Sequence, residues 1–458
     1  MAKPGIPQGT RDFSPTVVHK RQFIFNTIKN VFELYGFQPL ETPAMENLET
    51  LMGKYGEEGD KLLFKILNNG LNDPKNSDKA HRGFAKLLEG KTSAELTERA
   101  LRYDLTIPFA RYVAMNHGQL TFPYKRYQMQ AVWRADRPQK GRYREFTQCD
   151  ADVVGSRSLV NECELALIYH RVFTQLGIKD YSLRINNRKV LSALATLCGN
   201  RDKMTDITVA IDKLDKIGLE KVVEELLQRG LLPEAVETVK KFLSISGSST
   251  EKLHELQAMF ANDPEGMEGM KEIKFVLDNT SEINIEIDLT LARGLNYYTG
   301  TIFEVKAPES VKIGSIGGGG RYDDLTGLFG VPGVPGVGIS FGVDRIYDVM
   351  EELELFPANV GQCATVLFFN LGEKESIAAF EIAENLRTAG ISCELYHENV
   401  KLDKQFRYAE KKEIPFVAIL GLRELENKTV VVKQLATGHQ EELPTEQIFA
   451  YFQSSLKK

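Results

Sequence analysis

The spacing of apolar residues predicts where the first part of the chain forms helices and strands. From Phe23 to Tyr35 the apolar residues recur about every 3.6 positions, which predicts a helix that ends at Gly36. We interpret the short segment from there to Pro43 as a strand. Strict alternation over residues 283–292 predicts a half-buried strand, because side chains two positions apart lie on the same face. Helices and strands are therefore expected to mix in this part of the chain.

Between residues 188 and 280 the chain is rich in charged, helix-forming residues. Val222–Leu227 and Ala235–Ile245 have the pattern of amphipathic helices, and Gly230 and Pro233 separate them. No cluster of reactive side chains is apparent there. We therefore interpret this stretch as an all-helical insertion.

The pattern changes again in the last third of the chain. A glycine-rich region (314–342) leads into a predicted helix over Val343–Leu353, and the pattern breaks at Phe356–Asn359. Beyond this break, strands and helices alternate, which predicts a compact α/β domain with parallel strand pairing. The predicted strands are 364–370, 393–397, 416–420 and 429–433, and the predicted helices are 373–389, 402–412 and a closing helix from about Thr445.

The composition excludes several classes of protein. The 458 residues include 57 Lys and Arg against 63 Asp and Glu, a net charge of −6, so the chain as a whole is not a general binder of polyanions. No run of about 18 apolar residues is present, and Met1–Phe13 lacks the apolar core of a secretion signal. The five cysteines never form C-x-x-C, and the seven histidines never form H-x-x-x-H or H-E-x-x-H. We therefore expect no membrane span, no disulfide scaffold and no cysteine or histidine metal site, and the cysteine usage fits a reducing cytoplasm.

One segment departs strongly from the acidic balance of the chain. Lys125–Arg144 contains seven basic residues and one acidic residue, a net charge of +6. Aromatic residues are interleaved with the basic ones and strand-like segments flank them, so we predict a long hairpin. Arg142 and Arg144 would then share one face of a strand, where guanidinium groups can hold a triphosphate or a nucleic-acid end. A solvated basic hairpin is the alternative interpretation.

Four segments resemble, in the family's order, the histidyl-tRNA synthetases, which are class II aminoacyl-tRNA synthetases. Trp133–Asp150 resembles motif 2 of this family, and Leu291–Gly300 resembles the loop that is specific to the histidine enzymes. Val31–Pro43 resembles motif 1, the helix–strand element that builds the dimer interface, and Gly338–Ile346 resembles motif 3. The opening Pro7–Phe13 also fits, and the tail resembles the class IIa anticodon-binding domain. The match covers essentially the whole chain.

The resemblance implies a class II fold. An α+β catalytic domain would contain an antiparallel sheet with flanking helices, a helical insertion would interrupt it, and a C-terminal α/β domain would bind the anticodon. The predicted boundaries are 1–187 for the catalytic core with motifs 1 and 2, 188–280 for the insertion, 281–355 for the rest of the core, and 360–458 for the anticodon-binding domain.

The resemblance also implies ATP-dependent ligation of L-histidine to its tRNA through a histidyl-adenylate. The histidine carboxylate is already ionised at neutral pH when it attacks the α-phosphate of ATP. The site therefore needs positioning and charge neutralisation rather than a general base. The implied cofactors are ATP and Mg²⁺, the implied partners are histidine tRNA and a second copy of the chain, and the implied location is the cytoplasm.

The functional residues of the family carry over one by one. By resemblance, the catalytic residues are Arg134, which bridges the histidine carboxylate and the α-phosphate, and Arg293, which stabilises the α-phosphate from the other side. Arg345 would hold the γ-phosphate, and Arg142 and Glu145 would line the ATP pocket with Arg134. The implied histidine-binding residues are Asp104 and Thr106, which would hold the ammonium group, and Arg134, Gln148, Asp152, Arg293, Tyr297 and Tyr298.

One departure and several alternatives accompany these assignments. Asn296 stands where the family usually has Asp, which removes a charge next to Arg293. Without the family, Asp104 would be a turn or salt-bridge residue and the tyrosine pair at 297–298 would be core aromatics. A catalytically silent paralogue that regulates histidine biosynthesis would erode the arginines and lack the tail, both of which this chain keeps. A class IIa synthetase for another amino acid would conflict with Arg293–Tyr298.

Overall fold

The computed structural model describes residues 3–292, 297–361 and 363–455. They form two compact units, residues 3–12 with 21–356 and residues 13–20 with 357–455. No helix within these ranges combines the length and the apolarity that a membrane crossing requires.

The first unit is built on a large, mostly antiparallel sheet. Eight strands pair in the order β1-β5-β6-β11-β10-β9-β7-β8, and only the two outermost pairs, β1 with β5 and β7 with β8, are parallel. Three short strands form a second sheet in the order β2-β4-β3. The strands are β1 (Gln38–Pro39), β2 (Met45–Asn47), β3 (Lys65–Ile66), β4 (Arg99–Leu101), β5 (Tyr124–Trp133), β6 (Glu145–Val154), β7 (Ser182–Asn187), β8 (Ile285–Ile287), β9 (Thr301–Lys306), β10 (Ser315–Tyr322) and β11 (Gly336–Gly342).

Helices cover one face of the large sheet and fill the stretch between β7 and β8. Along β6, Cys149, Ala151 and Val153 lie in the core with Ile24 and Ile28 of the first helix. The helices are α1 (Pro15–Leu34, of which residues from Arg21 belong to this unit), α2 (Leu48–Leu51), α3 (Gly56–Lys61), α4 (Ser77–Leu88), α5 (Thr106–Asn116), α6 (Val160–Gln175), α7 (Arg188–Leu197), α8 (Met204–Ile211), α9 (Leu214–Gln228), α10 (Pro233–Leu243), α11 (Ser249–Met259), α12 (Pro264–Asp278) and α13 (Val343–Glu352). Short 3₁₀ turns lie at Pro74–Asn76, Arg201–Lys203 and Leu325–Phe329.

The helical insertion follows its local sequence signals. A capping box joins Ser248 and Glu251 at the start of α11, and the Asp263 carboxylate accepts the Gly266 N–H at 2.8 Å at the start of α12. Pro233 occupies the first turn of α10, where no intrahelical donor is needed. All-helical structure between β7 and β8 is therefore what the sequence predicted.

Two predictions for the first unit are corrected. The strand predicted over 283–292 is only Ile285–Ile287, because the Asp288 carboxylate accepts the Thr290 N–H at 2.9 Å and turns the chain. The β5–β6 hairpin is confirmed, but its ladder ends where Trp133 faces Glu145. Arg142 and Arg144 therefore lie in the connecting loop and not on a strand, in a segment that turns at Gly141 with a φ of 71°.

The second unit contains a five-stranded sheet in the order β13-β12-β14-β15-β16. The first three strands pair in parallel, as predicted, whereas β14–β15 and β15–β16 are antiparallel. Parallel pairing needs a crossover of about a dozen residues or more, which the short connection between β14 and β15 does not supply. The elements are β12 (Val366–Phe368), α14 (Glu373–Thr388), β13 (Cys393–Leu395), α15 (Leu402–Lys411), β14 (Phe416–Ile419), α16 (Leu422–Asn427), β15 (Thr429–Gln434), β16 (Gln440–Pro444), a 3₁₀ turn (Thr445–Gln447) and α17 (Ile448–Ser455).

Candidate active site

A cavity of about 350 Å³ lies against the large sheet of the first unit. Nine of the eleven residues predicted from the sequence line it. They come from the start of α5, the β5–β6 hairpin, the segment before β9 and the start of α13. The nine residues are Asp104, Thr106, Arg134, Arg142, Gln148, Asp152, Tyr297, Tyr298 and Arg345.

The other two predicted residues are Glu145 and Arg293. Glu145 is exposed at the start of β6, does not line this cavity, and accepts a hydrogen bond from the Trp133 indole N–H at 3.1 Å. Arg293 lies outside the described residues, as does Asn296. The roles given to Glu145 and Arg293 stay predictions, as do the roles given to the nine residues that line the cavity.

Alternation along β6 builds the polar floor of the cavity. Gln148, Asp150 and Asp152 line the cavity, and the residues between them lie in the core. The neighbouring strand β11 places Ser340 opposite Asp150 and Gly338 opposite Asp152. A Cβ atom on Gly338 would lie 2.0 Å from Asp152 Oδ1, so a residue without a side chain is required there. The sequence pattern of β6 and β11 thus fixes where the carboxyl groups stand.

Backbone carbonyl groups hold two of the three arginines at the cavity. Arg134 Nε donates to the Tyr103 carbonyl at 3.1 Å, and its Nη2 donates to Gln148 Oε1 at 3.4 Å. Arg345 Nε and Nη1 donate to the carbonyls of Gly141 and Ser315 at 2.6 and 2.7 Å. Neutral acceptors position these guanidinium groups without cancelling their charge, which leaves the charge available to an anionic ligand.

Positive charges at the cavity repel one another. Burial and the nearby Arg142 and Arg134 lower the pKa of the Arg345 guanidinium, while Asp136 and Glu304 oppose the shift. Arg142 Nη1 lies 3.8 Å from Asp136 Oδ1, a long contact for an ion pair. An anion bound between these arginines would relieve the repulsion.

Asp104 is a buried carboxylate at the start of α5. Its oxygens accept the Tyr55 and Tyr297 hydroxyls at 2.9 and 3.3 Å and the Ile107 N–H at 3.2 Å. Burial raises the pKa of Asp104, and these hydrogen bonds and Arg134 counteract the shift. The site gains a negative group fixed by three donors.

Asp152 is held by two residues that sequence reasoning missed. Arg126 is fully buried, and its Nη2 lies 2.8 Å from Asp152 Oδ2, while the Tyr322 hydroxyl donates to Oδ1. Burial raises the pKa of Asp152, and Arg126 is the largest opposing influence. Arg126 faces Asp152 across the hairpin, a pairing that only the register of β5 and β6 reveals.

Asp150 is a further cavity residue that the sequence analysis did not assign. It is 2% exposed, and burial raises the pKa of its carboxyl to about 7, with Arg126 opposing and Asp152 adding to the shift. Its place between Gln148 and Asp152 with the same alternation was the signal that could have identified it.

Asp344, at the start of α13, joins three parts of the chain beside the cavity. Its Oδ1 accepts hydrogen bonds from Arg11 and Arg21, and its Oδ2 accepts the Thr147 N–H at 3.0 Å. Arg11 comes from the opening segment and Thr147 from β6, next to Gln148. No local sequence signal indicated these contacts, because the three partners lie between 197 and 333 positions away from Asp344 in the chain.

Comparisons with known proteins agree on one family. The family model for histidyl-tRNA synthetase matches residues 76–346, and the model for the anticodon binding domain matches residues 365–455. The histidine–tRNA ligase of Bacteroides fragilis strain YCH46 is 53% identical over 453 residues and covers 98% of both chains. That of Phocaeicola vulgatus is 52% identical over 455 residues, covering 98% of this chain and 99% of its own.

Solved structures show the same fold. The crystal structure of histidyl-tRNA synthetase from Nostoc sp. PCC 7120 superposes with a TM-score of 0.83 at 30% identity, covering 99% of this chain and 100% of that chain. A protein from Bacillus halodurans described as an ATP phosphoribosyltransferase regulatory subunit/histidyl-tRNA synthetase superposes with a TM-score of 0.71 at 21% identity, covering 89% of this chain and 97% of that chain. At that identity the second likeness concerns the fold alone.

Proposed function

The chain belongs to the histidyl-tRNA synthetase family and charges tRNA with histidine, and we propose that it does so in the cavity of the large sheet through a histidyl-adenylate. The observation that carries this proposal is the distribution of charge along β6. At one end, Gln148 pairs with Gly342, just before α13 and Arg345. At the other end, Asp152 lies beside the buried Arg126. Arginines thus stand where a triphosphate would bind, and carboxyl groups stand where the amino acid would bind.

Histidine binds at the carboxyl end of this floor. The ammonium group pairs with Asp104, which is already oriented by Tyr55 and Tyr297, and with the hydroxyl of Thr106. The imidazole ring lies towards Asp152 and Tyr298, and Gln148 lies at the arginine end of the floor. The carboxylate of histidine then points towards the arginines.

Adenylate formation takes place between Arg134 and the phosphate groups. A carboxylate oxygen of histidine attacks the α-phosphorus, a new P–O bond forms, and pyrophosphate leaves with the electrons of the broken P–O bond. Arg134 holds the carboxylate and the α-phosphate together, Arg293 neutralises the α-phosphate from the other side, and Arg345 binds the γ-phosphate. Arg142 contacts ATP, whereas Glu145 does not line the cavity and keeps only the ATP-binding role that the family resemblance predicts for it. The terminal ribose hydroxyl of the tRNA then attacks the carbonyl carbon, and AMP leaves.

We propose that ATP binds in this cavity together with Mg²⁺. Glu304 and Asp136 line the same cavity as the three arginines and offer carboxylate oxygens, the ligands that Mg²⁺ prefers. Among the described residues, no group of three or more His, Cys, Asp or Glu side chains is arranged to hold a metal. Two carboxylates suit an ion that stays bound mainly to phosphate groups and water. An ion held in this way would neutralise part of the phosphate charge. Glu304 is the residue we expect to face it.

The second unit binds the tRNA. Its α15 carries basic residues that are exposed on one side of the helix, a pattern that neutralises phosphates in a salt-dependent way. These residues are Lys401, Lys404, Arg407, Lys411 and Lys412, of which Lys412 is paired with Glu394.

We also propose that the protein is a homodimer and acts in the cytoplasm. β1 is the edge strand of the large sheet, and Leu34 just before it is 69% exposed. The apolar side chains of Phe84 and Leu88 on α4 are exposed as well, at 59% and 77%. Phe84 and Leu88 lie one turn apart on the same helix, and association of two chains would bury an exposed apolar pair of this kind. All five cysteines are free, which suits a reducing compartment.

Pyrophosphate exchange tests the proposed function directly. The purified protein, ATP, Mg²⁺ and each of the twenty amino acids in turn should show exchange with histidine alone, and Arg134→Ala should abolish it without a loss of Tm. Exchange that prefers another amino acid, or none with histidine, would refute the proposal. A silent regulatory paralogue would also show no pyrophosphate exchange with histidine. The relatives that are about 50% identical over nearly the full length are histidine–tRNA ligases, so this alternative is not favoured.

A further inference from the structure

Asp150 is a buried carboxyl group in the cavity that no step described above uses. Its Oδ1 has no hydrogen-bond partner among residues 3–292, 297–361 and 363–455. The hydroxyl of Ser340 donates to the same carboxyl group and accepts a hydrogen bond from Gln148 Nε2 at 2.8 Å. A buried polar atom without a partner is costly, and such atoms in native proteins usually have a partner that is yet to be identified. The free oxygen at the cavity therefore points to a ligand.

The groups around Asp150 restrict what this ligand can be. Arg126 on β5 and Asp152 on β6 approach it along the sheet, Ser340 faces it from β11, and Asp104 contributes a more distant negative charge. Arg126 forms an ion pair with Asp152, and no ion pair to Asp150 is found among the residues that the structure describes. The free oxygen thus suits a polar N–H group or a ring nitrogen better than another anion.

The imidazole ring of histidine has the matching chemistry. When neutral, it carries one N–H donor and one nitrogen acceptor, and when protonated it carries two donors. Two carboxyl groups that share one proton complement both forms, because an ionised group accepts an N–H and a protonated group donates to the bare nitrogen. Burial raises the pKa of Asp150 to about 7, so both of its forms are available near neutral pH.

The spacing also fits a five-membered ring. Asp150 and Asp152 are two positions apart on one strand, so their Cα atoms lie about 6.7 Å from each other. A small ring with a hydrogen bond of about 2.8 Å at each nitrogen bridges a gap of this order.

We propose that Asp150 is a specificity-determining residue that binds one imidazole nitrogen of histidine, with the other nitrogen directed to Asp152. This inference rests on the proposed function and extends it to a residue to which the family resemblance gave no role. Asp150 contributes to the choice of amino acid, and the arginines at the other end of the cavity carry out the chemistry.

Binding measurements with two ligands test this role. Calorimetry gives the dissociation constants of histidine and of 3-(2-thienyl)alanine, whose five-membered aromatic ring has no nitrogen. In Asp150→Ala, the constant for histidine should rise at least about tenfold, while that for thienylalanine stays within about twofold. The preference of the protein for histidine over thienylalanine should therefore fall by the same factor. Asp150→Leu, which is close to Asp in size and has no polar side-chain atom, provides the same comparison if the alanine variant does not fold.

Ser340→Ala is the matched control, because it removes the hydroxyl that touches Asp150 and keeps both carboxyl groups. Its preference for histidine should fall by less than threefold. An unchanged preference in the Asp150 variants, whether both ligands weaken equally or neither does, would overturn the role of Asp150. Wild-type exchange with histidine is measured in parallel, and its absence would refute the proposed function instead.

Discussion

Asp344→Asn tests whether one buried carboxylate holds the two sides of the proposed ATP pocket together. Asp344 is 3% exposed and accepts hydrogen bonds from Arg11, Arg21 and the Thr147 N–H. An asparagine of the same shape has no charge, and its NH₂ group would face one of these donors. Two arginines would then lose their common anion at the start of α13, immediately before Arg345.

The expected loss of stability follows from the burial of this cluster. Removing one partner of a buried ion pair costs about 3–5 kcal/mol. The Arg21 side chain is 9% exposed and that of Arg11 is 26% exposed, so solvent screens the second pair more and the lower end of this range applies. An unfolding entropy of about 2.1 cal/mol/K per residue, over a unit of roughly 350 residues, converts about 3 kcal/mol into a fall in Tm of about 4 °C.

Calorimetry and pyrophosphate exchange together measure the effect. We expect Asp344→Asn to lower Tm by about 4 °C. We also expect KM for ATP to rise several-fold more than KM for histidine, because Arg345 would lose its fixed position. Asp348→Asn is the control, since Asp348 lies one turn later on α13 and accepts only the Tyr143 hydroxyl at 3.1 Å among the contacts described. If the two variants had the same Tm and the same KM for ATP, Asp344 would not organise the pocket.

Contiguous sequence patterns predicted much of the fold, and the family resemblance supplied most of the predicted residues that the fold brings to one cavity. The β5–β6 hairpin follows from apolar and basic residues over a few dozen positions, whereas the nine side chains that line the cavity were predicted by resemblance to the family. The helices of the insertion and of the tail were also predicted from patterns of neighbouring residues. Periodicity and motif matching succeed where the residues that decide a structure are neighbours in the chain.

Contacts between distant segments could not be predicted in this way. The pairing of Arg126 with Asp152 depends on the register of a hairpin, and Arg11 meets Asp344 across 333 positions. The strand at 283–292 was predicted too long because Leu289 and Leu291 are buried, yet Asp288 turns the chain before them. Burial of an apolar residue shows that it faces a core, but the hydrogen bonds of the backbone decide whether it belongs to a strand.

Four further predictions concern other residues. Arg293→Ala should lower histidine-dependent exchange by about 10²–10³, because loss of one contact to the developing charge costs about 3–4 kcal/mol, and a rate within twofold of the wild type would exclude this role. Asp152→Asn should raise KM for histidine by an amount equivalent to about 1–3 kcal/mol and leave KM for ATP nearly unchanged, whereas equal changes would place it outside the histidine pocket. Replacing Lys404 and Arg407 on α15 together by glutamate should raise KM for tRNA without affecting exchange, and an unaltered KM would argue against this face as a tRNA contact. Asp150→Asn should change how stability depends on pH, since burial raises the folded-state pKa to about 7 from 3.8. The folded protein therefore binds this proton more tightly than the unfolded chain, and the wild type loses up to about 4 kcal/mol as the pH rises from about 4 through about 7. Because asparagine does not titrate, the Tm of the variant minus that of the wild type should increase between about pH 5 and pH 8. Parallel Tm curves would show that the Asp150 carboxyl does not titrate in this range.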